Sequence, residues 1–183
     1  MVDVLIMLLI IAIPVVVLAL LYNGLVSLRA RVDNAWAQID VQLTKRYELV
    51  PNLVETVKGY AKHEKQLFEN VTAARTAAMG AQTLPEKAKA ENMFSSTLKS
   101  LFAVAENYPQ LKANENFKLL QEQLQGIEDK VAYARQFYND SAMEYNTKIQ
   151  QVPDSFIAGA FGFTPKDYFK AEAASRKAIK VEF

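Results

Sequence analysis

The chain has 183 residues, the length of one domain, and it can still bury a hydrophobic core once an apolar N-terminal segment is set aside. Its 21 Lys and Arg residues nearly balance 20 Asp and Glu residues, so it lacks the basic surplus by which nucleic-acid-binding proteins bind phosphates, and we predict no nucleic-acid partner. Cysteine is absent, which excludes disulfides, zinc–thiolate sites and cysteine nucleophiles.

Residues 4–21 form an unbroken apolar stretch, VLIMLLIIAIPVVVLALL, long enough to cross the hydrocarbon core of a bilayer. Tyr22 follows it, a residue type that suits the water–lipid interface, and Pro14 is tolerated in such helices. A cleaved signal peptide would need a basic start and a small-residue cleavage site, and the sequence MVD…LLYNGL has neither. We therefore predict a retained transmembrane anchor over residues 1–22.

The basic residues near the apolar stretch predict its orientation. Arg29 and Arg31 follow it closely, whereas only Asp3 and the terminal amine precede it. Lys and Arg are enriched on the cytoplasmic side of a membrane. The sequence thus predicts a single-pass protein of the cell membrane, with a short N-terminus outside and the remaining domain in the cytoplasm.

Beyond Tyr22 the apolar residues recur at helical spacing, and none follows the period of two that marks a strand. The first run carries Leu25, Leu28, Val32, Ala35, Trp36, Ile39, Leu43 and Val50. The second carries Leu53, Val54, Val57, Tyr60, Ala61, Phe68, Val71, Ala74 and Ala78. Pro51 separates them, because proline removes a helix donor and restricts its neighbour. Whether Pro51 turns the chain or only kinks one long helix is left open by the sequence.

Two further runs follow the sequence Met79-Gly80-Ala81. Thr83 and Glu86 have the spacing of a capping box, with Pro85 in the first turn, and Asn114 can cap the last run. The third run carries Phe94, Leu98, Leu101, Phe102 and Ala105, and stops at Tyr108-Pro109. The fourth carries Phe117, Leu120, Leu124, Ile127, Val131, Ala134, Tyr138, Ser141, Tyr145 and Ile149, and ends at Val152-Pro153.

Together these runs predict an all-α protein: an N-terminal transmembrane helix followed by an antiparallel, up-down four-helix bundle over residues 23–152. The alternative keeps the first two runs continuous through Pro51, as one long stalk against a shorter hairpin. The predicted core includes Trp36, Ile39, Val57, Phe68, Leu98, Leu124 and Ile127.

Residues 153–183 begin differently, with five aromatic residues among Gly159, Gly162 and Pro165. We predict that this C-terminal segment is not a regular helix, and it is too apolar to be a solvated linker. Candidate contact residues to a partner or the membrane are Phe156, Ile157, Phe161 and Phe163. These side chains could dock onto lipid, onto a neighbouring subunit, or onto the open end of their own bundle.

The chain offers little for catalysis. His63 is the single histidine, and the position where a zincin motif needs a second one is Leu67. No phosphate-binding glycine loop or nucleophile elbow is present. We therefore predict no enzyme activity, no metal and no cofactor.

Two charged residues fall on apolar seams. Arg46 continues a seven-residue repeat formed by Leu25, Val32 and Ile39, and Glu64 lies midway between Val57 and Val71. A buried charge must be paired, so Arg46 and Glu64 are predicted to form a buried or half-buried pair that fixes register. In the alternative, both side chains extend their charged ends to the surface.

Several stretches, taken in order, resemble the signature of the LemA family. They are YNGLVSLRARVDNAWAQIDVQLTKRYELVPNLVETVKGYAKHE from Tyr22, ENYPQLKANENF, the AR-x-x-YN of residues 134–139, the YN of residues 145–146, and FGF with a terminal KVEF. The resemblance covers essentially the whole chain and implies an N-terminal anchor and a four-helix bundle, but no defined activity. The sequence KAIKVEF departs from the family by lacking the usual proline before KV.

These features favour a membrane-anchored helical scaffold or adaptor that acts through protein–protein interaction or self-assembly, as a homo-oligomer at the lipid bilayer. The resemblance adds a membrane metallopeptidase as a candidate partner, because family members are often encoded near one. The alternative is a lipid-binding or membrane-remodelling protein that acts through the C-terminal aromatic residues.

Overall fold

A computed structural model describes residues 2–169, except for the side chains of Val4, Leu5 and Leu9. It is helical, with no strand in this range, which confirms the predicted all-α class. The helices are α1 Val2–Lys58, α2 Lys65–Gly80, α3 Leu84–Ala105, α4 Pro109–Ala113, α5 Glu115–Lys148 and α6 Asp154–Phe161. The predicted domain limits at residues 22 and 152 stay predictions, and residues 170–183 lie outside the described range.

Helix α1 has 57 residues in total, and the apolar stretch forms its N-terminal part. It contains the one segment of the described chain that is long and apolar enough to cross a membrane, with a mean hydropathy of 2.7. The large apolar side chains described in this stretch, from Ile6 to Leu20, are exposed. This pattern is that of a helix whose surroundings are apolar on every side.

Pro51 neither turns the chain nor ends α1, so the predicted division of the first two runs at this residue is wrong. A proline in a helix leaves the carbonyl four residues earlier without its N–H donor. That carbonyl belongs to Tyr47, and it accepts a hydrogen bond from Nε of Arg75, at 2.7 Å, on α2. The side chain of Arg75 thus replaces the missing backbone donor.

Helix α1 ends instead at Lys58, seven residues beyond the proline, and residues 59–64 turn the chain into α2. The turn begins at Gly59, a weak helix former, and Ala61 donates its N–H to the carbonyl of Val57 at 2.9 Å. The long continuous helix of the alternative reading is therefore present, but the second run is split between the end of α1 and α2.

The predicted helix caps are confirmed. The hydroxyl of Thr83 accepts from the N–H of Glu86, the Glu86 carboxylate accepts from the N–H of Thr83, and Pro85 lies in the first turn of α3. Oδ1 of Asn114 accepts from the N–H of Phe117 at 2.9 Å at the start of α5. Helix α2 ends at Gly80 as expected, whereas α3 ends before Tyr108, and the short α4 was not predicted.

The described chain divides into two compact units, residues 2–38 with 134–168, and residues 39–133 with Phe169. Among the predicted core residues, Ile39, Val57, Phe68, Leu98 and Leu124 are buried. Trp36 and Ile127 are only half-buried, which corrects that part of the prediction. Trp36 packs edge-on against the ring of Tyr138 at 5.9 Å, and an indole is rarely enclosed completely. Ile127 lines an open surface cavity.

The buried seam of α5 can be tested by comparing two of its leucines. Leu124 is 3% exposed and Leu119 is 52% exposed. We expect Leu124→Ala to lower the free energy of unfolding by about 2–5 kcal/mol, because it removes packed methyl groups and leaves a cavity. Leu119→Ala is the matched control and should change it by less than about 0.5 kcal/mol. Equal losses in thermal melts of the two variants would contradict this assignment.

Candidate functional site

The first part of the C-terminal aromatic segment forms a helix, α6, contrary to the prediction, whereas residues 163–169 have no regular secondary structure. Gly159 is accommodated inside α6. Gly162 ends the helix with a φ of 70°, a left-handed conformation that glycine adopts without strain, and its N–H bonds to the carbonyl of Ala158. Burial of Ile157 and Ala158 on one face stabilises this short helix.

The four predicted contact residues divide into two pairs. Ile157 and Phe163 are buried, whereas Phe156 is 72% exposed and Phe161 is 62% exposed. The ring of Phe163 lies 5.7 Å from that of Tyr22 and is covered by the guanidinium of Arg29 at 5.0 Å. Ile157 and Phe163 therefore pack within their own unit, whereas most of the ring surface of Phe156 and Phe161 faces outward.

Residues 164–167 are held by three side chains of α5. The hydroxyl of Tyr145 donates to the carbonyl of Thr164 at 3.1 Å, and that of Tyr138 donates to the carbonyl of Asp167 at 3.0 Å. The amide of Asn146 bonds to both the N–H and the carbonyl of Lys166, each at 2.8 Å. We call Tyr138, Tyr145 and Asn146 the C-terminal clamp.

The clamp is placed by the spacing of its tyrosines. Tyr138 and Tyr145 are seven residues apart, which puts them on one face of α5 about 10 Å from each other. Their acceptors, Thr164 and Asp167, are three residues apart, and a nearly extended chain spans the same distance. Burial is the main cause that raises the pKa of both tyrosines above the ordinary value, so both hydroxyls stay protonated as donors.

Helix α1 holds the same segment from its own side. Nζ of Lys166 forms an ion pair with Asp33 at 2.9 Å. Further toward the apolar stretch, the ring of Phe161 lies 4.9 Å from that of Tyr22. Because Tyr22 directly follows the apolar stretch, the exposed ring of Phe161 lies beside the end of the candidate membrane span.

A buried charged cluster occupies the second unit. Nη1 of Arg46 forms an ion pair with Glu91 at 2.8 Å, and Nη2 forms one with Glu128 at 2.5 Å and a hydrogen bond to Ser95 at 2.8 Å. The guanidinium also lies 4.9 Å from the ring centre of Phe94. The Arg46 cluster thus joins α1, α3 and α5.

Tyr47 extends the cluster. Its hydroxyl donates a short hydrogen bond to the second carboxylate oxygen of Glu91. Burial, followed by this contact with an anionic carboxylate, raises the pKa of Tyr47 strongly above its ordinary value. Nearby, the buried ammonium of Lys87 lies 3.4 Å from Asp40 and 5.6 Å from the ring centre of Tyr47. Each oxygen of Glu91 therefore faces a donor inside the core.

The prediction that Arg46 is buried holds, but its predicted partner is wrong. Glu64 lies half-buried just before α2, and the structure pairs Arg46 with Glu91 and Glu128 instead. The reason is the late end of α1. Arg46 lies about 18 Å from that end, at 1.5 Å per residue, whereas Glu64 lies in the turn itself. The two residues therefore lie at different heights along the axis of α1, too far apart to pair.

The sequence carries a signal for the burial of Glu91. Glu91 precedes Phe94 and Leu98 by three and seven residues, so it continues the apolar stripe of the third run. Glu128 has no comparable signal, because it lies beside the stripe rather than on it. His63 is exposed in the turn between α1 and α2.

The coupling within the Arg46 cluster can be measured against a surface pair. Arg46–Glu91 and Arg31–Glu144 have the same 2.8 Å separation, but the first pair is at most 1% exposed and the second is half-exposed. We expect Arg46→Met alone to cost about 3–5 kcal/mol, because it leaves Glu91 charged and buried. The double variant Arg46→Met, Glu91→Leu should lose less.

The control is the same double-mutant cycle on Arg31 and Glu144, where the coupling should be about 0–1 kcal/mol. Chemical denaturation of the four variants of each cycle gives both couplings. If the Arg46–Glu91 coupling is no larger than that of the surface pair, the Arg46 cluster is not a buried ion pair.

Comparison with known proteins adds a family to this geometry. The chain is 25% identical to the magnetosome proteins MamQ 1 and MamQ 2 of Paramagnetospirillum magneticum (strain AMB-1). It is 26% identical to the magnetosome protein MamQ of Magnetospirillum gryphiswaldense (strain MSR-1). Each alignment covers 84% of this chain and 66% of the relative. The pattern of the LemA family matches residues 35–183, and with most of its length matched, the chain belongs to the LemA family.

Proposed function

We propose that this LemA-family protein is a membrane-anchored helical scaffold or adaptor that acts by self-assembly and protein–protein contact rather than by catalysis. The observation that carries the proposal is the position of α6. It rests against Tyr22 at the end of the apolar stretch of α1, and it exposes Phe156 and Phe161. Exposed aromatic rings beside a membrane span mark a contact surface rather than a folding core.

An up-down four-helix bundle is the arrangement that we propose for the body of the second unit. Contacts among its four main helices support it. Arg75 of α2 bonds to α1, and the Arg46 cluster ties α1 to α3 and α5. Phe102 of α3 packs against Phe117 of α5 at 6.2 Å. From the Arg46 cluster to this contact, α3 runs toward its C-terminus and α5 runs toward its N-terminus. This order of contacts fits antiparallel α3 and α5.

The scaffold role is supported by the buried charged groups of the second unit, which bond to one another inside the core. The guanidinium of Arg46 and the carboxylate of Glu91 are engaged with each other and with neighbouring side chains in the core. Such groups fix the register of helices. We propose homo-oligomers at the bilayer, and a membrane metallopeptidase as a candidate partner, with no role for nucleic acid.

We also propose that the short N-terminus is outside the cell membrane and the helical domain is in the cytoplasm. The support is the excess of basic residues after the apolar stretch, where Arg29 and Arg31 are both exposed. Arg29 lies over the ring of Phe163, and Arg31 lies over the ring of Phe137, so both charges are held close to the helix surface.

Single cysteines test this orientation, because the native chain has none. Ser27→Cys and Thr147→Cys, both at exposed positions, should resist a membrane-impermeant thiol reagent in intact cells and react after permeabilisation. Val2→Cys is the matched control and should react in intact cells. Labelling of Ser27→Cys and Thr147→Cys without permeabilisation would place the domain outside.

The contact surface is tested by replacing the two exposed rings together. Phe156→Ser with Phe161→Ser should abolish the defined oligomer that is extracted from membranes, yet leave the melting temperature unchanged, because neither ring is buried. Met143→Ser, at another exposed apolar residue of the same unit, is the control and should keep the oligomer. Native mass spectrometry and thermal melts give the two readouts.

Two outcomes contradict the proposal. A large loss of melting temperature would show that the rings cover their own unit. An unchanged oligomer, combined with quenching of a tryptophan at Phe161→Trp by brominated lipid in a Trp36→Phe background, would favour the lipid-binding alternative. The support for this alternative is the ring of Phe161, which is exposed and lies beside Tyr22.

A further inference from the structure

A cavity of about 450 Å³ opens between α3 and α5 of the second unit and ends at the Arg46 cluster. One face of each helix lines it, and the spacing of these residues is i, i+3, i+4, i+7 on both helices. They are Ser95, Leu98, Lys99 and Phe102 of α3, and Gln121, Leu124, Gln125 and Glu128 of α5. The volume lies in the range of small-ligand sites.

The cavity is polar at one end, and its walls combine apolar side chains with Lys99 and two glutamines. Arg46, Ser95 and Glu128 meet at the polar end, and Leu98, Phe102 and Leu124 provide apolar walls. From Ser95 to Phe102 the helix rises about 10 Å. A short amphiphile with one polar head fits this arrangement.

The polar end has hydrogen-bond donors in addition to those that bond to the carboxylates of Glu91 and Glu128. Nε of Arg46 is a buried donor with no acceptor among the described residues, although such groups are nearly always hydrogen-bonded. Lys99 adds an exposed cation at the rim. Of the two carboxylates on Arg46, Glu91 is fully buried, whereas Glu128 is partly exposed at the cavity.

We propose that this cavity binds a small amphiphile with a carboxylate head and a short apolar chain. The head takes the place of the Glu128 carboxylate on the guanidinium of Arg46, which Glu91 holds from behind, and accepts from Ser95 as well. Glu128 turns outward to solvent, and Lys99 provides a second cation. The chain lies along Leu98, Phe102 and Leu124. With Glu128 turned outward, the cations of Arg46 and Lys99 face the head and only the carboxylate of Glu91 opposes them, which favours an anionic head over a neutral or cationic one.

The test uses hexanoate with the full-length protein in nanodiscs. The variant Gln125→Cys places a single cysteine in the wall of the cavity. The rate at which this thiol is alkylated reports whether the cavity is occupied, and hexanoate that dissolves in the nanodisc lipid does not affect it. Hexanoate should slow this alkylation, whereas hexanol and hexylamine should not. Thr76→Cys, at an exposed position of α2 away from the cavity, is the control and should be unaffected by all three. Gln121→Cys is a second reporter.

Two charge variants, each combined with Gln125→Cys, make the test specific. Glu128→Gln removes the competing carboxylate and should lower the apparent Kd for hexanoate by about threefold or more. Lys99→Gln removes an exposed cation and should raise the apparent Kd for hexanoate by about threefold. Circular dichroism melts confirm that both variants are folded; Lys99 is exposed, so at least that variant keeps the fold.

Three results overturn the proposal. The first is no protection by hexanoate at either Gln125→Cys or Gln121→Cys. The second is protection by hexylamine or hexanol equal to that by hexanoate. The third is a Lys99→Gln variant that binds hexanoate as tightly as the parent protein does.

Discussion

A guanidinium buried in the core, that of Arg46, is the constraint on which the second unit depends. A cation removed from water must find anionic partners of good geometry, and these come from α3 and α5. The next residue in the chain, Tyr47, adds a hydroxyl contact to Glu91 and offers its carbonyl to Arg75 of α2. Two adjacent residues of α1 thus contact three other helices.

The carbonyl of Tyr47 also explains how one helix can contain a proline near its end. Pro51 withholds the N–H that this carbonyl would normally accept, and Arg75 supplies a donor from another helix. The backbone hydrogen bond that Pro51 removes is thus replaced by a tertiary hydrogen bond between α1 and α2. The chain therefore turns at residues 59–64, and that position decides which residues of α2 and α3 face Arg46.

In the first unit the corresponding role belongs to the C-terminal clamp. Residues 164–167 form no backbone ladder of their own, so their polar groups bond to side chains of α5. This gives a physical reading of the two tyrosine–asparagine pairs that carry the family resemblance. Three of their four residues, Tyr138, Tyr145 and Asn146, bind the chain that follows α6, and Phe163 at the start of that chain lies beside Tyr22.

The sequence by itself determined the helical class, the apolar span, the capped starts of α3 and α5, most of the tested core residues, and the membership of the LemA family. These follow from local patterns: apolar period, cap chemistry and run length. It also located the exposed aromatic residues, although it did not separate Phe156 and Phe161 from Ile157 and Phe163.

The tertiary structure alone decided the end of α1, the partners of Arg46 and the helix α6. A proline breaks a helix only if nothing replaces its missing donor, and the replacement for Pro51 comes from residue 75. Glu91 and Glu128 are 45 and 82 residues away from Arg46 in the chain. Helix α6 depends on burial of one face by other elements. Each outcome rests on contacts between residues far apart in sequence, and no local pattern contains them.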